Sequence, residues 1–249
     1  MVNTIKQVLR LSFEPDRHTL VAFISGLLVI AVSAVSLLFE GTAWEPLSVA
    51  FFRGFLMVVV LGFALPLGYT LFVEKNPLSE LGIKGKYWGW MLLINLVLAA
   101  LLARLFISEV NSMPVFTFDK LKAIIYIMLA AGPFEVLFFY GFLQLRFERA
   151  FGIIPGILLA ALFYSLHHVG FQPEYGKLFL VGVMYMIIFR TVRSILIIYP
   201  FFWGVGACWD VLEQFGMDPK DIYWTNIFWI VGLFLLIGWV FYRVKKMKA

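Results

Sequence analysis

Apolar residues run along this chain in blocks of spanning length, separated by short polar connections. The blocks predict eight helices, over 18–38, 47–73, 87–107, 121–145, 153–169, 177–192, 195–212 and 222–242. Crossing a hydrocarbon core takes ~20 helical residues at a rise of about 1.5 Å each. The sixth block is short, and the second is long enough to tilt or to break near Pro66, in LGFALPLGY. The pattern therefore predicts an all-α polytopic membrane protein, a single transmembrane domain over 1–249 without a repeat or low-complexity tract. Its amino-terminal stretch, MVNTIKQVLRLSFEPDRHTL, lacks a short apolar core followed by a small-residue cleavage site, so the first block is expected to be retained as a span.

Composition points the same way. The 249 residues are 62% hydrophobic and 14% charged, against about 25% charged residues in soluble domains. A soluble fold of this length cannot hide so much apolar surface, so lipid is part of its solvent. The net charge of +5 is not gathered on a polar face, and no nucleic-acid partner is expected. A single cysteine, Cys208, excludes an intramolecular disulfide and a multi-cysteine metal cluster. As a nucleophile it is disfavoured, since a thiol in apolar surroundings tends to be inert.

The basic residues orient the chain. Of 20 Lys and Arg, 14 fall on one side of an eight-span arrangement: Lys6, Arg10, Arg17, Lys75, Lys84, Lys86, Arg146, Arg149, Arg190, Arg193, Arg243, Lys245, Lys246 and Lys248. The opposite loops hold Lys120, Lys122, Lys177 and Lys220, and Arg53 and Arg104 lie near span ends where long side chains snorkel. The positive-inside rule then places the protein in the cell membrane with both termini cytoplasmic.

Against this background a few ionisable residues stand out. Glu135 interrupts AGPFEVLFFYGFLQLRFER, His167 and His168 close ALFYSLHHVGF, and Asp210 lies in FFWGVGACWDVLEQFG. At helical rise, Glu135 is roughly 16 Å from Arg146 at the cytoplasmic end, and His167 is roughly 21 Å from that face. Asp210, counted from residue 195, reaches a similar depth. Three polar side chains from three helices are thus expected in one layer. Adjacent residues on an α-helix diverge by about 100°, so only one of the two histidines is expected to face the others.

A carboxylate in hydrocarbon costs roughly 2.5–3.5 kcal/mol on insertion scales, and such residues face the bundle interior and mark function. Two uses remain open for a Glu–His pair. It can be a polar contact between helices worth about 1 kcal/mol, or a general base that activates water against a carbonyl. Asp210, or the small-residue run before it, would position substrate or stabilise the oxyanion. Glu, His and Asp also suffice in type for a divalent metal, although no HExxH spacing is present and the sequence does not decide whether one binds.

In order along the chain, these residues resemble the CPBP family, the CAAX protease and bacteriocin-processing (Abi) proteins. PLSELGIKG resembles the loop before the family's third helix. EVLFFYG resembles its first motif, a Glu-Glu pair followed by three residues and Arg. FYSLH matches the second motif, FxxxH, and FRTVRSILIIYPFFWGVGACWD resembles the stretch leading into the third, a His followed by an Asn. The resemblance implies an eight-helix intramembrane endopeptidase in which Glu135 and His167 activate water, acting on a peptide or prenylated protein tail. The chain departs from the motifs at Val136 (Glu expected), Tyr140 (Arg) and Gly206 (His), with Asp210 at the Asn position. The alternatives are a catalytically impaired relative that serves as a membrane-embedded binding or regulatory partner, and a proton-coupled carrier. Against the carrier, no inverted repeat is visible.

Overall fold

Six of the apolar blocks fold as helices long and apolar enough to cross a membrane: α1 (Arg17–Phe39), α2 (Glu45–Val73), α3 (Trp88–Ser108), α4 (Phe118–Phe151), α5 (Ile153–Gly170) and α6 (Tyr175–Val192). The structure is a computed structural model, and it describes residues 10–85, 87–108, 110–111, 115–172 and 174–216. Among these residues there is no β-strand. α1, α2, α3, α5 and α6 end within two residues of the expected blocks, since a bilayer sets the length of apolar helix needed to cross it, whereas α4 runs 34 residues, past the expected end at 145 to Phe151. α2 does not break at Pro66. Its hydrogen bonding changes from i→i+5 to i→i+4 at Leu65–Gly68, around the proline nitrogen that has no proton to donate.

The seventh block departs from expectation. Instead of one helix over 195–212, a 3-10 turn at Ile195–Ile197 precedes α7, Phe201–Gln214, of 14 residues. Pro200 explains the late start: it disfavours helical geometry in the residue before it and is tolerated at a helix beginning. The expected span at 222–242 lies outside the described residues.

The chain divides into two compact units, each assembled from segments distant in sequence: Met1–Gly82 with Phe134–Ile187, and Ile83–Pro133 with Ile188–Ala249. The first is built around the C-terminal half of α4. Every residue from Val136 to Gln144 is buried, as expected of a helix apolar on all sides. α1 enters through Asp16, which caps the helix by accepting from the Thr19 amide at 2.7 Å while the Thr19 hydroxyl answers the Asp16 amide. Two glycines permit close approaches. A Cβ on Gly62 of α2 would fall on the Phe134 ring of α4, and one on Gly170 of α5 would fall on the Ser33 carbonyl oxygen of α1.

A buried polar cluster closes the other end of this unit. Arg146 donates to both carboxylate oxygens of Glu74, to the Phe142 carbonyl at 2.9 Å and to the Thr70 hydroxyl at 3.1 Å. Its guanidinium lies 3.7 Å from the Phe142 ring centroid. His18 Nδ1 reaches Glu74 at 3.3 Å and the Tyr69 hydroxyl at 3.0 Å. Two residues before Arg146, Gln144 donates to Glu148 at 2.7 Å and to the Met186 carbonyl at 3.1 Å.

The second unit contains α3, the beginning of α4, and α7. Asn95 on α3 is fully buried and donates to the Leu196 carbonyl at 2.8 Å. Phe106 packs on Trp209 with centroids 4.4 Å apart.

Candidate functional site

α5 ends its α-helical part at Leu166 and finishes as a 3-10 turn over His167–Gly170. The last carbonyls of a helix have no intrahelical donor, and side-chain N–H groups near the C-terminus are drawn to them. Here both imidazoles take the same one. Nδ1 of His167 and Nδ1 of His168, the latter at 2.9 Å, reach the Tyr164 carbonyl oxygen. Folding back onto one acceptor brings the rings to a centroid separation of 3.9 Å. Only one histidine was expected to face the cluster, and this is corrected: the 100° divergence of an ideal α-helix does not apply where the helix has ended.

The turn is held from three sides. The Gly170 amide donates to the Ser33 hydroxyl at 3.2 Å. Phe171 packs on His168 at 4.8 Å between centroids, and the Arg53 guanidinium lies 5.4 Å from the Phe171 ring. Arg53, expected to snorkel, also donates from Nε to Ser36 at 2.8 Å. Phe139 covers His167 at 4.5 Å.

Glu135 arrives from α4, with Phe134 on one side and the buried run from Val136 on the other. Its Oε1 lies 3.5 Å from His167 Nε2 and 3.8 Å from His168 Nε2. The three side chains are 7%, 0% and 4% exposed. The Tyr164 hydroxyl interacts with the Glu135 carboxyl. Glu135 Oε2 and His167 Nε2 are buried and have no hydrogen-bond partner. Each of the three residues offers a ligand atom within 4.8 Å of the other two, so the group has the reach and the donor types to hold a metal ion.

The structure thus brings Glu135 and His167 together, as expected, and adds His168. Tyr164 was also not singled out from the sequence. The signal was present: Tyr164 stands three and four residues before the histidines, the spacing at which a side chain meets a preceding carbonyl. Asp210 lies half-buried on α7 in the second unit. It is the tenth residue of that helix, so its depth counted from residue 195 is corrected. Val136 and Tyr140, where the motif has Glu and Arg, are fully buried, Tyr140 packing 6.0 Å from Tyr164 and 6.3 Å from Tyr185.

The fold and this cluster define an α-helical membrane protein with a carboxylate–imidazole centre in its interior. Residues 117–208 match the family described as type II CAAX prenyl endopeptidase, Rce1-like. The similarity to the CPBP family holds over that segment, which contains Glu135, Tyr164, His167 and His168 and ends before Asp210. No curated protein and no solved structure matches the chain.

Proposed function

We propose that the protein is an intramembrane endopeptidase that hydrolyses a peptide bond in a membrane-associated, prenylated protein tail. The carrying observation is the buried approach of Glu135 to His167, inside the segment that matches an endopeptidase family. Glu135 Oε2, which has no partner, takes a proton from water. The water oxygen then bonds to the scissile carbonyl carbon, and the carbonyl π electrons move to its oxygen. When the tetrahedral intermediate collapses, the C–N bond breaks and Glu135 returns the proton to the departing amine. His167 orients the water through Nε2. A divalent metal held by Glu135, His167 and His168 would supply Lewis acidity to that water. Asp210 is assigned the orientation of substrate. The same reading has eight spans in one domain of the cell membrane, with both termini cytoplasmic.

A second reading, a membrane-embedded binding partner without catalysis, is favoured by Gly206, which has no side chain to steady an oxyanion. Loss of one oxyanion donor slows an enzyme by about 10²–10³ without abolishing it. The test compares wild type with Glu135→Ala and His167→Ala at equal folded yield in proteoliposomes carrying a prenylated peptide. The endopeptidase reading expects one defined product, seen by mass spectrometry, that both substitutions remove. A product that survives both sinks it.

A further inference from the structure

We propose that Tyr164 is the positioning residue of this centre, acting through two separate groups. Its carbonyl sets the tautomer of both imidazoles, and its hydroxyl holds Glu135, so that a water between them turns a lone pair toward the substrate carbonyl. The role of that water rests on the endopeptidase reading, whereas the hold on the three side chains does not.

The main-chain half follows from hydrogen-bond chemistry. A carbonyl oxygen has no proton to give, so each imidazole that bonds the Tyr164 carbonyl through Nδ1 must carry its proton there. In the neutral rings each Nε2 is then an acceptor. Both face Glu135 Oε1, at 3.5 and 3.8 Å, which is also an acceptor when ionised. Among the described residues, none donates to His167 Nε2 or to Glu135 Oε2. A water that reaches both gives one hydrogen to each, and its oxygen lone pairs are left for a carbonyl carbon. The opposite tautomer would place a proton on Nε2 and tie up one of those lone pairs.

The side-chain half concerns Glu135. Among the described residues its carboxyl has one side-chain hydrogen-bond donor, the Tyr164 hydroxyl. The hold leaves Oε2 without a partner, ready for the proton of a water. Packing aims the hydroxyl. The Tyr164 ring meets Phe139 edge-on at 5.5 Å between centroids and His168 at 5.1 Å. From α6, a Cβ on Gly182 would fall 2.8 Å from Tyr164 Cδ1, so this glycine lets the helix close on the ring. A side chain locked in this way keeps a reacting group in its productive geometry.

Tyr164→Phe removes the hydroxyl and keeps the carbonyl, so the two halves can be tested apart. In full-length protein in detergent, infrared difference spectra assign the Glu135 carboxyl band by its loss in Glu135→Gln. The proposal expects that band to shift in Tyr164→Phe. It also expects kcat for a prenylated peptide to fall about 10–10²-fold with KM unchanged, the worth of one hydrogen bond to a charged group. p-Aminophenylalanine at position 164 keeps an N–H donor and should restore both readouts. p-Methylphenylalanine there, similar in size but without a donor, should restore neither. Tyr175→Phe, at the start of α6, is the control and should change neither. Nitrogen NMR of His18→Gln protein, whose remaining histidines are His167 and His168, should show a protonated Nδ1 and a bare Nε2 in both rings, with or without Tyr164→Phe. With native circular dichroism throughout, a Glu135 band unmoved by Tyr164→Phe overturns the proposal. So does either ring protonated at Nε2, or p-methylphenylalanine restoring turnover. Spectra that respond as expected in a wild-type protein that yields no product overturn the endopeptidase reading and leave the hold of Tyr164 on the three side chains standing.

Discussion

Nε2 of His167 lies 3.5 Å from Oε1 of Glu135, both side chains buried, and neither His167 Nε2 nor the second oxygen of Glu135 has a hydrogen-bond partner. A contact kept only to join helices would place a donor opposite an acceptor. The excess of acceptors predicts a trade between stability and activity. In chelator-treated protein, Glu135→Gln introduces an amide N–H that can donate to an imidazole nitrogen. Thermal unfolding should show this variant at least as stable as wild type, with a gain of about 1 kcal/mol for a hydrogen bond made, while cleavage is lost. A clear loss of stability would mean that the carboxylate is a structural partner.

Gly170 sets how closely the histidine turn approaches α1. A Cβ there would meet the Ser33 carbonyl oxygen and, at 3.0 Å, the Ser36 hydroxyl. The first is backbone and cannot rotate away. Gly170→Ala should destabilise by about 1–3 kcal/mol and lower cleavage by displacing both imidazoles, whereas Gly176→Ala, with open space around its Cβ, should change neither. Thermal unfolding and product yield measured side by side check this.

The Arg146–Glu74 pair, with both side chains 4% exposed, should behave as a buried ion pair. Removing one partner of such a pair costs about 3–5 kcal/mol. Arg146→Met should fall in that range, and the double variant Arg146→Met/Glu74→Gln should recover much of the loss. A double-mutant cycle on unfolding free energies measures the coupling. Additivity of the two single changes would contradict it.

Asp16 caps α1 from outside the span. Burial pushes its carboxyl upward, but the Thr19 amide and hydroxyl, with His18, outweigh this and hold it below its ordinary value. A carboxyl held low in the folded state stabilises fully above its unfolded value and loses that contribution as pH falls through the folded one. Asp16→Ala should therefore cost about 1 kcal/mol at neutral pH. The gap between wild type and variant should close as the medium is acidified below the carboxylate range. Unfolding measured at neutral and at strongly acidic pH tests the sign.

Much of this was legible in the chain itself. The bounds of α1, α2, α3, α5 and α6 follow from apolar length, which the bilayer sets and tertiary packing hardly alters. Glu135 and His167 were legible because an ionisable residue inside an apolar block needs a reason to be there. His168 was not, since its orientation depends on where α5 stops. That stop is set by the 3-10 turn and by the Tyr164 carbonyl left open at the helix end. The start of α7 was missed although its cause, Pro200, stands in the sequence. The apolar run masked it, because hydropathy continues across a proline that helical geometry does not cross. The glycine approaches at Gly62 and Gly170 were also invisible, since what a missing Cβ makes room for is decided by the partner helix.

The central claim is that Glu135 activates water for peptide hydrolysis. The most direct test is cleavage of a prenylated peptide in proteoliposomes by wild type and by Glu135→Gln, which keeps the shape of the side chain and removes its ability to accept the proton. The account predicts one defined product from wild type and a rate lower by about 10²–10⁴ in the variant, with the fold intact by circular dichroism. A Glu135→Gln protein that yields the same product at the wild-type rate would contradict it.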